Sequence, residues 1–483
     1  MKSNSPMMHR VARHHSSQFL PFSIPRKGRI RIVLVLALII IGIRIIPGLF
    51  TSVHLPQLKL PHISFKKNQD SPPTRPQRIK KTVISGKREQ LLSRSITKIT
   101  KDPSKLAAVM ALPISGKDSV EVYTSIDTTL KDYIEKLFNR YHPLYGALVA
   151  LHPSTGRILA LSTYTNDSMP DLGANLCCRS FFPAASTFKT VTAAAAIEYE
   201  SFEPSCLLEH RGRTSTLYRS QIKQDLDWSI DISFAQAYAR SVNAVFARIG
   251  MYEVGRNHLA ATTDAFGFNM PVPGDLFCEP SVAVCPDSSD SLFALAEFAS
   301  GFNQRTLISP LHGACIAAAI SGNGTMPVPT LIDSIVQVSN GETKYMALPA
   351  PWQQAVTPST AATLRSLMHS VVSYGTARKQ FRDIRNTSRF DDFLYGGKTG
   401  SVDKDGIGRV DWFIGFAVNP ELSDERIAVA ALTVHGAYWT VHSSYLAAEA
   451  MRFYLRRLQK SKETLLAHES DVSTDSATAA TGQ

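Results

Sequence analysis

In residues 124–141, TSIDTTLKDYIEKLFNRY, the residues Leu130, Tyr133, Ile134, Leu137 and Phe138 recur at helical spacing behind a candidate Asp127 cap. The period then changes. GALVALHPSTGRILALSTY (146–164) predicts two strands joined by a tight turn at Pro153–Gly156. FFPAASTFKTVTAAAAIEYE (181–200) predicts an alanine-rich helix entered from a proline, and DISFAQAYARSVNAVFARIG (231–250) a single amphipathic helix. Further helical patterns fill 290–322 and 357–375. Three strand-like runs follow, GGKTGSVD, DWFIGFAVN and ERIAVAALTVHG, and then a last helix, SYLAAEAMRFYLRRLQ. Strands at both ends with helices between predict one antiparallel sheet, built from early and late segments and flanked by helices. Such a sheet can bring residue 186 beside residue 398.

The net charge of +12 is unevenly spread. Residues 1–115 hold 21 Lys/Arg against 3 Asp/Glu, and residues 116–483 hold 31 against 37. A nucleic-acid-binding core carries its basic residues on the folded domain, so that class is excluded. The basic cluster Arg26, Lys27, Arg29 and Arg31 precedes IVLVLALIIIGIRIIPGLF (32–50), apolar except for Arg44. About 19 residues at 1.5 Å each roughly span a bilayer core, and Arg44 can snorkel at its edge. No small-x-small cleavage site follows, so an uncleaved anchor is expected. Eight Lys/Arg and no acid in the first 50 residues place the N-terminus inside. The expected organisation is a cytoplasmic segment 1–31, an anchor 32–50, a basic linker or small stalk 51–115, a catalytic domain 116–460, and a disordered tail 461–483. The six cysteines then face an oxidising side; Cys278 and Cys285, flanking a Pro-containing loop, are the first pair to test, although six cysteines allow fifteen pairings. The adjacent Cys177–Cys178 has no further ligands nearby, so no metal is expected.

Chemistry enters with three short motifs in order: Ser186-Thr-Phe-Lys189, Ser241-Val-Asn243 and Lys398-Thr-Gly400. S-x-x-K alone is weak, because it starts five times, at Ser64, Ser95, Ser186, Ser220 and Ser401. Taken alone, Ser186 or Thr187 reads equally as a helix N-cap with Lys189 in solvent. Only Ser186 opens an apolar helix, and K-T-G occurs once, at the start of a strand pattern. Residues three apart share a helix face with Cβ atoms roughly 5–6 Å apart, so Lys189 can reach Ser186. A serine is a weak nucleophile until a base takes its proton. A lysine can do so when its amine is neutral, and burial and neighbouring charge favour that state.

This trio is the signature of penicillin-binding proteins and related β-lactamases. The chain resembles the transpeptidase domain of penicillin-binding proteins over roughly residues 120–458. LISPLHGACIAAAISGNG and DWFIGFA also resemble recurrent segments of that family. One departure is Pro183-Ala184-Ala185 before Ser186, where the family often has P-G-S. The resemblance implies an α+β fold, an antiparallel sheet flanked by helices plus a mainly helical subdomain. It implies acyl transfer without a cofactor, on peptidoglycan stem peptides ending in D-Ala-D-Ala, with β-lactams as covalent analogues. By the same resemblance Ser186 is the nucleophile and Lys189 its base. Ser241 relays a proton, and Asn243 holds the substrate backbone. Lys398, Thr399 and Ser401 bind a carboxylate, and Gly400 lets substrate lie on the strand. The backbone N–H groups of Ser186 and Ser401 form the oxyanion hole.

Within the family, the long gap from Asn243 to Lys398 and the anchor favour a large transpeptidase over a D,D-carboxypeptidase or a class D-like β-lactamase. Ser241-Val-Asn243 ends in asparagine where class D enzymes usually have valine, and no Glu-x-x-Leu-Asn segment supplies a class A deacylating base. A segment the size of 51–115 is too small for a glycosyltransferase domain, so a separate glycan polymerase is the expected partner at a bacterial plasma membrane. A non-enzymatic β-lactam sensor or wall scaffold on the same fold is the remaining alternative.

Overall fold

The computed structural model describes residues 105–480 except 116–117 and 173–174, together with residues 90, 93, 94 and 97. The expected anchor at 32–50 and nearly all of the linker before 105 lie outside the described residues. Among the described residues no helix is long and apolar enough to cross a membrane.

Strands β1 (Val109–Ser115) and β2 (Asp118–Thr124) pair antiparallel, so the fold begins inside the segment expected to be linker. Val120 and Val122 are buried, and this apolar alternation starts the ordered core before the helix at 128. Helix α1 (Thr128–Tyr141) follows, and the Asp127 carboxylate accepts from the Leu130 N–H as its cap. Strands β3 (Tyr145–Leu151) and β4 (Ile158–Thr165) form the expected hairpin. Helix α2 (Lys189–Glu200) continues a short 3₁₀ turn over Ala185–Phe188.

The segment 231–250 is not one helix. It divides into α3 (Phe234–Ala239) and α4 (Asn243–Arg248), with Ser241 between them at φ +56°. Apolar periodicity predicted continuity because both halves bury the same kind of face; the left-handed Ser241 breaks it. Helices α5 (Leu292–Ser300) and α6 (Pro310–Ser321) come next, then β5 (Ile332–Gln337), β6 (Thr343–Met346) and α7 (Pro358–Ser373). Strands β7 (Leu394–Lys404), β8 (Gly408–Val418) and β9 (Arg426–His435) lead to α8 (Ser443–Ala480). That helix runs on through the segment expected to be a disordered tail from 461; Lys, Glu, Leu and Ala in its first residues are strong helix formers.

The main sheet is antiparallel in the order β7-β8-β9-β3-β4, which joins early and late segments as expected. A smaller sheet has the order β1-β2-β5-β6. All twelve residues of α6 are buried. Gly313 lets it lie close to the sheet: a Cβ there would meet Ile414 Cγ2 at 3.0 Å and Ala430 Cβ at 3.3 Å. Each large apolar side chain sealed in such a layer contributes about 1.5–3 kcal/mol, so helix and sheet form a rigid floor for the site.

All six cysteines are free thiols, and the expected Cys278–Cys285 bridge is not formed. Cys278 is buried, whereas the half-buried Cys285 directs its Sγ toward the Arg256 carbonyl oxygen, 3.6 Å away.

Candidate active site

The turn carrying Ser186 is pinned from two distant parts of the chain. Trp412 Nε1 on β8 donates to the Pro183 carbonyl oxygen (2.8 Å), and the Ala184 N–H donates to the Thr306 carbonyl oxygen (2.7 Å). Between them Ala185 takes φ +50°, a conformation that favours glycine. The departure from P-G-S is therefore accommodated as backbone strain beside Ser186. No side chain caps the helix here, so the N-cap reading fails. Thr187 Oγ1 instead donates to the Ala184 carbonyl oxygen at 2.5 Å, and Ser186 is half-buried.

Lys189, one turn on, is fully buried. Its Nζ bonds to Ser186 Oγ (2.7 Å), Asn243 Oδ1 (2.7 Å) and the Ser300 carbonyl oxygen (2.6 Å). Burial, and then the nearby Lys398 charge, hold its pKa well below the usual lysine range. A neutral amine can accept the Ser186 proton while its two hydrogens remain on Asn243 and Ser300. Among the described residues no carboxylate hydrogen-bonds to Ser186 or Lys189.

Asn243 is fixed by its side-chain Nδ2, which donates to the Ser215 carbonyl oxygen (2.9 Å), and by its backbone N–H on Thr214 (2.9 Å). The break at Ser241 turns that hydroxyl toward β7, where Lys398 Nζ donates to it at 2.8 Å. Lys398 is buried and also donates to the Thr399 carbonyl oxygen (2.8 Å); burial pulls its pKa down to about 7. Thr399 Oγ1 meets Thr376 Oγ1 at 2.5 Å. Gly400 is where β7 passes Ser186. A Cβ there would come within 3.0 Å of the Thr187 nitrogen and 3.1 Å of the Ser186 nitrogen, so any side chain would crowd the turn. Ser401 is exposed, and its Oγ donates to Asp411 Oδ1 at 3.0 Å.

All eight residues singled out from the sequence therefore belong to one constellation. Three contributors were missed. Ser300 acts through its backbone carbonyl at the end of α5, and the signal available was Gly301, a left-handed residue that stops that helix. Thr376 and Asp411 belong to no motif and are brought in by tertiary packing. Among the described residues no group of three His, Cys, Asp or Glu is placed to hold a metal ion.

Comparisons with known proteins agree with this geometry. Residues 146–452 match the penicillin binding protein transpeptidase domain. The peptidoglycan D,D-transpeptidase PbpA of Mycolicibacterium smegmatis is 26% identical over 346 residues, 65% of this chain and 67% of that protein. The D,D-transpeptidase domain of a peptidoglycan glycosyltransferase from Eggerthella lenta superposes with a TM-score of 0.57 at 23% identity, covering 70% of this chain and 83% of the other. Penicillin-binding protein A from Mycobacterium tuberculosis, solved as an imipenem acyl-enzyme, gives 0.56 at 23% identity, covering 69% and 79%. With the fold, the ordered motifs and a family match across most of the catalytic domain, this chain belongs to the penicillin-binding protein transpeptidase family, a family of enzymes that work through a serine.

Proposed function

We propose that this chain is a membrane-anchored peptidoglycan D,D-transpeptidase. One observation carries the reading: a half-exposed serine lies 2.7 Å from a buried, charge-poor lysine amine, with a second lysine on the adjoining strand. Lys189 takes the proton from Ser186 as its Oγ attacks the carbonyl carbon of the penultimate D-Ala. The N–H groups of Ser186 and Ser401 hold the developing oxyanion, each such donor being worth about 3 kcal/mol. Ser241 passes a proton to the departing terminal D-Ala, and Lys398, Thr399 and Ser401 bind its carboxylate. Asn243 holds the donor backbone. An acceptor amine from a second stem peptide then attacks the ester and frees Ser186.

Penicillin and its relatives enter the same route and remain on Ser186, as imipenem does on the Mycobacterium tuberculosis protein. Residues 32–50 anchor the chain in the plasma membrane, 51–115 are largely spacer, and 116–460 work outside, alongside a separate glycan polymerase.

The test is the fate of the acyl-enzyme. Intact-mass measurement should find a penicilloyl adduct on Ser186 that persists from many minutes to hours, and D-amino acids or stem peptides should speed release of a thioester-donor acyl group more than water does. Turnover of penicillin within seconds would make the chain a β-lactamase. Fast donor hydrolysis indifferent to acceptor would make it a carboxypeptidase.

A further inference from the structure

Asp411 stands directly across the β7–β8 ladder from Ser401, one residue beyond the glycine that faces the nucleophile. It is a buried carboxyl in contact with the carboxylate-binding strand, and the proposed reaction assigns it no task. Its two oxygens are differently held. Oδ2 accepts the backbone N–H of Ser443 at 2.7 Å, at the start of α8, and Oδ1 accepts the Ser401 hydroxyl, at 3.0 Å. Ser401 has one hydroxyl hydrogen, so it cannot serve Asp411 and an incoming carboxylate together.

We propose that Asp411 is a positioning residue that decides, by its protonation, whether the Ser401 hydroxyl is turned toward the protein or toward the carboxylate of the substrate. The inference rests on the transpeptidase reading and deepens its account of carboxylate recognition. With Asp411 ionised, Ser401 donates to Oδ1 and its hydrogen is withheld from the substrate carboxylate. With Asp411 protonated on Oδ1, the carboxyl donates to Ser401 Oγ, and the Ser401 hydrogen is released to the groove.

The surroundings keep the two states close in energy. Burial drives the Asp411 pKa up to about 7 against the opposing hydrogen bonds from Ser443, Ser401 and the Trp412 backbone. No cation neutralises it at short range among the described residues. His442 Nδ1 on the loop before α8 lies 4.0 Å from Oδ2, with its own pKa lowered by burial and then by Lys379. On β9 the register partner is Thr433, whose hydroxyl bonds to Ser443 Oγ (2.8 Å) and to His435 Nε2 (2.9 Å). His435 is kept neutral, its pKa lowered to about 4. On β7 the facing group is Ser401 itself.

Asp411→Asn separates the states without changing shape. Its oxygen must stay on the Ser443 N–H, which leaves the amide nitrogen to donate to Ser401 Oγ, the arrangement of the protonated acid. The experiment measures the acylation rate of Ser186 by a carboxylate-bearing fluorescent penicillin against pH, on the detergent-solubilised full chain, for wild type, Asp411→Asn, Ser401→Ala and the double variant. Wild type should lose rate above neutrality with the loss of two protons, from Lys398 and Asp411, and Asp411→Asn with the loss of one. The Asn variant should exceed wild type by up to about tenfold one pH unit above the Asp411 midpoint. In the Ser401→Ala background the Asn substitution should change nothing.

Superimposable profiles for wild type and Asp411→Asn, or the same gain without Ser401, would overturn the proposal while leaving the transpeptidase reading in place. No Ser186 adduct at any pH would overturn both. Carboxyl-carbon NMR of the wild-type chain decides the matter even if the variants fold poorly: a midpoint near neutrality is expected, and one near the ordinary aspartate value of about 3.9 overturns it.

Discussion

Lys398 Nζ donates to Ser241 Oγ at 2.8 Å, joining the K-T-G strand to the break between α3 and α4 across 157 residues of chain. Lys189 holds Ser186 and Asn243 together. The two lysines thus divide five motif residues into two hydrogen-bonded sets, Lys398 with Ser241 and Lys189 with Ser186 and Asn243, and each set is separately testable.

Ser186→Ala should abolish covalent labelling by a fluorescent penicillin and leave the melting temperature nearly unchanged, because a small residue replaces a small one in a pinned turn. Ser64→Ala, Ser95→Ala and Ser220→Ala should all label normally. Loss of label in one of those three, with Ser186→Ala still labelled, would move the nucleophile.

In the proposed reaction Lys398→Ala removes a charge-assisted contact to the substrate carboxylate. Acylation by carboxylate-bearing β-lactams should fall by roughly two to three powers of ten, matching about 3–4 kcal/mol lost in the transition state. A donor lacking the carboxylate should lose far less; an equal loss would show that Lys398 acts on the chemistry itself.

The pH profile follows from the same burial. Lys398 has its pKa lowered to about 7, so its positive charge is present below that value and lost as pH rises through it. Capture of a carboxylate-bearing β-lactam should therefore decline above neutrality. Burial and the nearby Lys398 charge hold the Lys189 pKa well below the usual lysine range, and in the proposed reaction it works as the neutral amine; acid conditions that protonate it should bring the rate down. Acylation rates measured against pH with and without a substrate carboxylate check this: only the alkaline decline should depend on the carboxylate.

Ala185→Gly tests the strained turn. A left-handed alanine costs about 1–2 kcal/mol, while glycine costs roughly 0.5–1 kcal/mol in chain entropy. The substitution should leave stability unchanged or raise it by up to about 1 kcal/mol, read as a small upward shift in melting temperature. A clear destabilisation would mean that the Ala185 methyl group contributes more to packing than its backbone costs.

Much of this site was legible because its chemistry sits in short local patterns. Ser186 and Lys189 share one helical turn, and Lys398, Thr399, Gly400 and Ser401 share one strand, so spacing alone sets their relations. The sheet was legible for a similar reason, since β3 and β4 carry uninterrupted apolar runs at one end of the domain and β8 and β9 at the other. What periodicity missed was carried by single residues. Ser241 at φ +56° splits a stretch whose apolar pattern is continuous. Asp411, read as part of a strand, gave no sign that its partner would be Ser401, because strand register is a tertiary fact. The Cys278–Cys285 pairing failed for the same reason: nearness in sequence did not fix side-chain direction.

The order of the sheet also governs when the enzyme comes into being. Strand β3 has no neighbour on one side until β9 arrives, Leu151 pairing with Ala428. Lys398, which bonds to Ser241, and Trp412, which braces the Ser186 turn, are made only shortly before β9. A chain emerging from the ribosome thus carries its Ser186 helix long before it carries a site. Such distant pairings make folding slow and leave apolar strands waiting for partners. Reactivity toward penicillin should consequently switch on at one late moment of maturation, and fragments ending before β9 should be inert, aggregation-prone and invisible to the drug.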